Sequence, residues 1–142
     1  MTINLQELMD LVSKETKKVR SKYHLTLGKL IAYLEAMPDK DAPVLFDFGG
    51  CPTSPHSYRG YYEDLAFERK PDEQADVKSF LGMCMYCLDT PFTGYKGGEF
   101  VMGPDTPLWF SAYGSAYEVA ITGVQYDERD NIVTLVTKDL SL

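Results

Sequence analysis

The chain has 142 residues, a length that fits one domain and can bury a core without disulfides or metals. Hydrophobic residues make up 44% of it, which excludes a disordered protein. The net charge of -7 argues against DNA or an anionic membrane as a partner, because both favour basic surfaces, but it leaves room for a small phosphate ligand in a local positive pocket.

Three segments have helical periodicity. The first is predicted from Asn4 to Tyr23, with Asn4 as the N-cap and a basic second half that is either a solvated face or an arm packing on a neighbouring subunit. The second is predicted to be capped by Thr26 and to run to about Met37, where Pro38 ends it; its apolar stripe is Leu27, Leu30, Ile31 and Leu34. The third is predicted to open at Pro71 and to close at Thr90-Pro91. Its buried stripe is Val77, Phe80, Leu81, Cys84 and Leu88.

The remaining segments predict strands and loops. Ala42 to Phe48 is predicted as a short strand, Gly49 to Pro55 as a surface loop, and Tyr61 to Phe67 as a strand or an irregular segment. Four further strands are predicted at Gly98 to Met102, Thr106 to Tyr113, Tyr117 to Tyr126 and Asn131 to Lys138, the last two joined by a turn at 127–130. The order predicts an α+β fold in which most strands are antiparallel.

The cysteines are Cys51, Cys84 and Cys87. Their odd number and the lack of a signal peptide favour a reducing, cytosolic setting. Cys84 and Cys87 have C-x-x-C spacing, but there is no second such pair, and the pair lies late in an apolar helical run. We therefore favour core packing over a redox or metal role.

Two irregular segments carry candidate binding chemistry: Pro55 to Glu68 and Thr93 to Phe100. Arg59 and Lys96 could bind phosphates, and glycines in both segments let backbone N–H groups approach a ligand. Tyr58, Tyr61, Tyr62 and Tyr95 could stack on a base. The alternative, that these are strand tyrosines and turn glycines, stays open for either segment alone.

Catalytic machinery is sparse. His56, beside Ser57 and Arg59, is the best candidate for acid–base work, whereas His24 suits capping or packing. Two histidines argue against a His-rich metal centre, and no nucleophile elbow or P-loop occurs. We therefore predict binding without turnover, with no cofactor, no metal and no catalytic residue.

Several stretches together resemble one family of small phage proteins, over about Thr26 to Gly123. The stretches are Thr26-Leu27-Gly28-Lys29-Leu30, HSYRGYYEDLAFE at 56–68, FTGYKGGEF at 92–100, Thr106-Pro107-Leu108-Trp109 and Tyr113-Gly114. The family is the first-described type of phage anti-Thoeris protein, a sponge for nucleotide signals.

The resemblance implies a function and an assembly. Members sequester cyclic ADP-ribose isomers, notably the glyco-cyclic ADP-ribose made by bacterial TIR-domain enzymes, without degrading them, so that the immune effector stays inactive in the host bacterial cytoplasm. Their fold is a decorated immunoglobulin-like β-sandwich with ligand sites between the subunits of a dimer. Some members form hexamers, and some take up cyclic oligonucleotides at separate sites.

The prediction is thus a single domain of residues 1–142, with a helical arm at 1–24 and a ligand-binding antiparallel β-sandwich at 25–142. The neighbours Trp109 and Phe110 face opposite ways on a strand, so at least one belongs to the core. Two alternatives stay open: a phosphodiesterase of cyclic nucleotides, and an inhibitor that binds a host protein. The predicted ligand-binding residues are His56, Ser57, Tyr58, Arg59, Gly60, Tyr61, Tyr95, Lys96, Gly97, Gly98, Trp109 and Tyr113.

Overall fold

The computed structural model describes residues 24–57, 64–93, 99–112 and 115–140. The predicted first helix and nearly all of the predicted arm therefore lie outside the described residues. In chain order the described elements are α1 (Leu27–Glu35), β1 (Val44–Phe46), β2 (Cys51–Ser57), β3 (Leu65–Lys70), α2 (Val77–Cys87), β4 (Pro91–Thr93), β5 (Glu99–Val101), β6 (Leu108–Ala112), β7 (Ser115–Asp127) and β8 (Ile132–Asp139).

The predicted immunoglobulin-like sandwich is wrong. Six strands form one open mixed sheet in the order β1-β8-β7-β6-β3-β2, and β4 and β5 form a separate two-stranded hairpin. The pairs β1–β8 and β3–β6 are parallel, and the other pairs are antiparallel. The buried residues of α1 and α2 share one core with residues of the sheet. The two helices therefore cover the core face that a second sheet would cover in a sandwich.

The main core lies between the helices and this face of the sheet. Phe80 of α2 packs edge to face against Phe67 of β3, with ring centroids 5.2 Å apart. The fully buried side chains here include Leu27, Leu30, Leu34, Phe46, Phe67, Phe80, Leu108, Ile121 and Leu135. The helical periodicity of α1 thus predicted its buried side correctly.

The two helices differ in how well their starts were predicted. Thr26 caps α1 as predicted, accepting from the N–H of Lys29. The third predicted helix starts later than Pro71, because Asp76 is its N-cap and accepts from the N–H of Ser79 over 2.7 Å. Asp76 also forms a β-bridge with Pro43, which requires extended backbone and keeps the preceding residues out of the helix.

The predicted loop from Gly49 to Pro55 is wrong for most of its length. From Cys51 the chain forms β2, the edge strand that pairs with β3, with a bulge between Thr53 and His56. An edge strand tolerates the prolines of this segment, because one side of its backbone does not pair within the sheet. The predicted strands near the C-terminus are confirmed as β6, β7 and β8, and β7 and β8 form the predicted hairpin.

Candidate functional site

Three of the twelve predicted ligand-binding residues lie within the described part of the chain: His56, Ser57 and Trp109. The other nine lie outside the described residues, so their roles stay predictions. They are Tyr58, Arg59, Gly60, Tyr61, Tyr95, Lys96, Gly97, Gly98 and Tyr113.

The strands fix where the chain leaves and rejoins the sheet around these segments. Ser57, the last residue of β2, pairs with Leu65, the first residue of β3. The chain therefore leaves the sheet and re-enters it at the same end. Leu65 pairs in turn with Leu108, the first residue of β6. Ala112 and Ser115, which flank Tyr113, pair at the far end of β6, about 13 Å away at the usual rise of a strand. The strand ends that flank position 113 and those that flank positions 58–63 therefore lie at opposite ends of the sheet.

The face of the sheet opposite α1 and α2, here called the Trp109 face, carries two of the described candidates, His56 and Trp109. Residues paired across neighbouring strands project on the same side, so one row crosses the sheet through His56, Ala66, Trp109 and Ala120. Ala66, Trp109 and Ala120 form a second buried cluster, separate from the main core. Phe110 packs against the main core instead, which confirms that the two aromatic neighbours face opposite ways.

His56 is held by a local hydrogen bond. Its Nδ1 lies 2.8 Å from the carbonyl oxygen of Ser54, so Nδ1 carries the hydrogen and donates it. In the neutral ring, Nε2 is then the acceptor nitrogen. Ser54 lies in the β2 bulge with a φ of 49°, a left-handed conformation that is uncommon outside glycine. Such bulges frequently serve to aim a side chain.

Trp109 makes a buried side-chain hydrogen bond on the Trp109 face. Its indole Nε1–H donates to Oδ2 of Asp64 over 2.8 Å. Both residues are buried, with 6% of Trp109 and 3% of Asp64 exposed. On another side, the ring of His24 packs edge to face at 4.2 Å between centroids, which confirms a packing role for His24.

Asp64 is the residue that sequence reasoning missed. In the sequence, Glu63 and Asp64 indicate only local negative charge. Because neighbouring residues of an extended chain face opposite ways, the two carboxylates cannot form a paired site. One signal was available, since Asp64 immediately precedes β3 and alternates with Ala66 and Glu68 of that strand. The partner could not be read from the sequence, because Trp109 lies 45 residues away on a strand that pairs in parallel with β3.

The cysteines fit the core-packing interpretation. All three are free and buried. Burial raises the pKa of the Cys84 thiol well above its usual range, with a smaller contribution from Cys87, and raises the pKa of Cys87 to about 11. A thiol that resists ionisation is a poor nucleophile and a poor metal ligand.

The described residues offer neither a metal-binding cluster nor a membrane-spanning helix. No cluster of three or more His, Cys, Asp or Glu side chains in these ranges is arranged to hold a metal ion. None of the described helices has the length and apolar character needed to cross a membrane.

Comparisons of the chain with protein-family models, with curated proteins and with solved structures found no match. The resemblance to the anti-Thoeris sponges therefore stays a prediction that rests on its short motifs. The fold that it implied is wrong, because one open sheet takes the place of the sandwich.

Proposed function

We propose that the protein binds a small nucleotide signal of the cyclic ADP-ribose class and retains it without cleaving it. The observation that carries the proposal is the anchoring of the connection at 58–63. His56, just before it, is fixed by the carbonyl of Ser54, and Asp64, just after it, is fixed by Trp109. Binding residues are often carried by loops that a scaffold holds in place, and this connection carries three tyrosines and one arginine between two hydrogen-bonded side chains.

Residues of this connection and of the second candidate segment, Thr93 to Phe100, suit this ligand class. A cyclic ADP-ribose isomer carries a pyrophosphate, two riboses and an adenine. Arg59 can bond two phosphate oxygens at once, and Lys96 can act as a point charge. A tyrosine stacked on the adenine contributes roughly 1–3 kcal/mol, by analogy with bases stacked on protein aromatics. In a chain of net charge -7, these two cations are the residues that we propose attract an anionic ligand.

The biological setting is proposed from the resemblance alone. The protein acts in the cytoplasm of an infected bacterium as a phage anti-defence factor that depletes a TIR-derived signal. It acts as a homo-oligomer, a dimer or a hexamer. A second class of site for cyclic oligonucleotides belongs to the same proposal.

A phosphodiesterase is the second candidate, and one observation favours it. With Nδ1 of His56 donating to Ser54, the neutral ring presents Nε2 as an acceptor, which is the arrangement of a general base. We rank it second because the sequence lacks a nucleophile motif to work with that base.

One experiment separates these candidates. The purified protein is incubated with glyco-cyclic ADP-ribose, freed of unbound nucleotide and heated, and the released material is identified by mass spectrometry. Linear ADP-ribose is the matched control, because it has the same groups without the closed ring. Release of intact cyclic nucleotide, near one per site, supports the sponge, whereas cleaved nucleotide in either the retained or the removed fraction supports the phosphodiesterase. If nothing is retained and the removed nucleotide is intact, both are contradicted, and an inhibitor of a host protein becomes the leading hypothesis.

A further inference from the structure

Arg69, near the end of β3, is an exposed cation that is held on three sides. Its Nε–H donates to the carbonyl oxygen of Gly49 over 2.7 Å. Its stem lies against Gly50, where an added Cβ would be 2.6 Å from Nε. The guanidinium lies over the ring of Phe48, 5.7 Å from the centroid. The side chain is therefore already positioned, so little further ordering has to accompany the binding of a ligand.

Phe48 gives this guanidinium a firm apolar neighbour. Its ring stacks on Phe46 at 5.1 Å between centroids, and it meets Phe110 edge to face at 4.9 Å. Phe46 belongs to the main core, whereas 45% of Phe48 is exposed. The ring is thus braced by the core on one side and open to solvent on the other. It offers a fixed aromatic surface next to a cation.

Within the described residues, no acid pairs with Arg69. Asp47, in the same turn as Gly49, uses both carboxylate oxygens on Thr137. One oxygen accepts from the backbone N–H of Thr137 over 2.9 Å, and the other accepts from its hydroxyl over 2.7 Å. Because Nε is bound to Gly49, the Nη1 and Nη2 groups form the end of the guanidinium that makes no hydrogen bond in the described part of the chain.

An arginine held in this way suits a carboxylate. The two Nη groups present parallel N–H donors whose spacing matches the two oxygens of one carboxylate. One guanidinium supplies one positive charge, which a monoanion balances. A phosphate dianion would instead add uncompensated negative charge to a chain of net charge -7. The exposed side of Phe48 adds an apolar contact for the group that carries the carboxylate.

The neighbouring edge of the sheet disfavours a long peptide as the source of this carboxylate. An extended peptide adds to an open edge through backbone hydrogen bonds, and β2 begins directly after this turn, at Cys51. Pro52 and Pro55 lack the N–H that such pairing requires, and the bulge between Thr53 and His56 interrupts the regular spacing. A small carboxylic acid needs no strand pairing, so this edge does not hinder it.

We propose that Arg69 and Phe48 form a binding site for a small monocarboxylate whose carboxylate is attached to an apolar or aromatic body. The Nη groups bind the carboxylate, and the exposed side of Phe48 contacts the attached body. The proposal does not rest on the nucleotide function, because the site lies at the start of β2, whereas the connection at 58–63 follows the end of that strand.

The test is a titration of ¹⁵N-labelled protein followed by NMR. The probe is 3-phenylpropionate, and 3-phenylpropanol is its matched control, because it has the same body without the charge. Phenyl phosphate, which carries two negative charges at about pH 7.5, compares the two kinds of anion. We expect 3-phenylpropionate to shift the Nε–H signal of Arg69 and the amides of Phe48, Gly49 and Gly50 saturably. The alcohol should bind at least about ten-fold more weakly, and phenyl phosphate should also bind more weakly.

Three variants assign the binding to the two side chains. Arg69→Gln removes the charge and the pair of Nη donors, and it should weaken 3-phenylpropionate about ten-fold or more. Phe48→Leu keeps an apolar residue without the ring and should weaken it about three-fold. Lys70→Gln is the control, because it removes the same charge from the neighbouring position, whose exposed ion pair with Glu73 contributes little. It should leave the affinity unchanged.

Four results would overturn the proposal. They are shifts that map away from Phe48 and Arg69, equal affinity for 3-phenylpropanol, tighter binding of phenyl phosphate, and an equal loss of affinity in Lys70→Gln and Arg69→Gln. A tripeptide ending in phenylalanine that binds more tightly than 3-phenylpropionate would overturn the choice of a small acid. If Arg69→Gln does not fold, the shifts in the wild type and the affinity of Phe48→Leu decide the question.

Discussion

Arg69 on β3 donates its Nε–H to the carbonyl oxygen of Gly49 over 2.7 Å, which joins β3 to the turn that leads into β2. The guanidinium also lies over the ring of Phe48, 5.7 Å from its centroid. Gly49 and Gly50 have φ values of 92° and 80°, conformations that glycine adopts without strain. Arg69 therefore helps to hold the turn through which the chain enters the edge strand that carries His56.

This packing predicts that Gly50→Ala destabilises the protein by about 1–3 kcal/mol. A Cβ at Gly50 would lie 2.5 Å from Cγ of Arg69, and the positive φ would strain any side chain there. Urea denaturation measures the change. Gly82→Ala is the control, since a Cβ at this exposed position in α2 meets nothing within 4 Å. It should stabilise the protein by about 1 kcal/mol. Equal stability of the two variants would contradict the role given to Arg69.

The parts of the fold that sequence could predict are those with local signals. Thr26 and the apolar repeat after it identify α1, because the backbone hydrogen bonds of a helix lie within the helix and its packing requires one apolar side. The alternation in β8 and the turn before it identify the terminal hairpin, because its two strands are neighbours in the sequence and its signals are also local. The sequence did not predict the edge strand β2, because its prolines and the two glycines before it indicate a loop, and its pairing with β3 is a tertiary contact.

The architecture and the site needed information that the sequence does not carry locally. Strand count and patterning suit a sandwich or a single sheet equally, and the packing of both helices on one face decides between them. The bond from Trp109 to Asp64 depends on a parallel pairing across 45 residues. Sequence reasoning therefore placed Trp109 among ligand-binding candidates, whereas in the structure its N–H is bound to a buried carboxylate.

The N-cap of α2 predicts a component of acid sensitivity. The backbone N–H of Ser79, helped by the Ser79 side chain, lowers the pKa of Asp76 below its ordinary value of 3.8. A carboxyl whose pKa falls on folding adds stability that is complete above its unfolded pKa and is lost as the pH falls through its folded pKa. The contribution of Asp76 should therefore begin to fall near pH 4 and be lost as the pH falls through the lowered pKa of the folded protein.

Asp76→Asn tests this component, because asparagine caps a helix about as well but does not titrate. Melting temperatures measured from about pH 6 to pH 2 should fall less steeply in the variant than in the wild type. Some acid sensitivity should persist. Asp39 accepts from the N–H of Asp41 and from Asn131, and its pKa is lowered in the same direction. Identical profiles for the two proteins would show that the cap contributes no pH dependence.

The buried cysteines predict slow thiol chemistry. Because burial raises the pKa of Cys87 to about 11 and that of Cys84 further above its usual range, few thiolates form at neutral pH. An aromatic disulfide reagent should label the native protein only as fast as the fold opens, and should titrate all three thiols in denaturant. Rapid labelling of either helical cysteine in the native protein would instead revive the redox interpretation of the C-x-x-C pair.

The last prediction concerns Arg59, the residue on which the ligand proposal depends most. If Arg59 binds a phosphate, Arg59→Ala loses a charge-assisted hydrogen bond of roughly 1.5–3 kcal/mol, and affinity for glyco-cyclic ADP-ribose falls about 10- to 150-fold. Isothermal titration calorimetry measures the affinity. Arg129→Ala, in the exposed β7–β8 turn, changes the net charge equally and should bind as the wild type does.

Arg59→Lys separates charge from geometry at the same position. Lysine keeps the positive charge but cannot present two parallel N–H groups to one phosphate. A bidentate contact therefore predicts that the lysine variant binds more weakly than wild type and more tightly than the alanine variant. Wild-type affinity in the lysine variant would mean that only long-range charge matters at this position. Wild-type affinity in the alanine variant would remove Arg59 from the site, and the phosphates would then have to be bound by Lys96 or by backbone N–H groups of its glycine-rich segment.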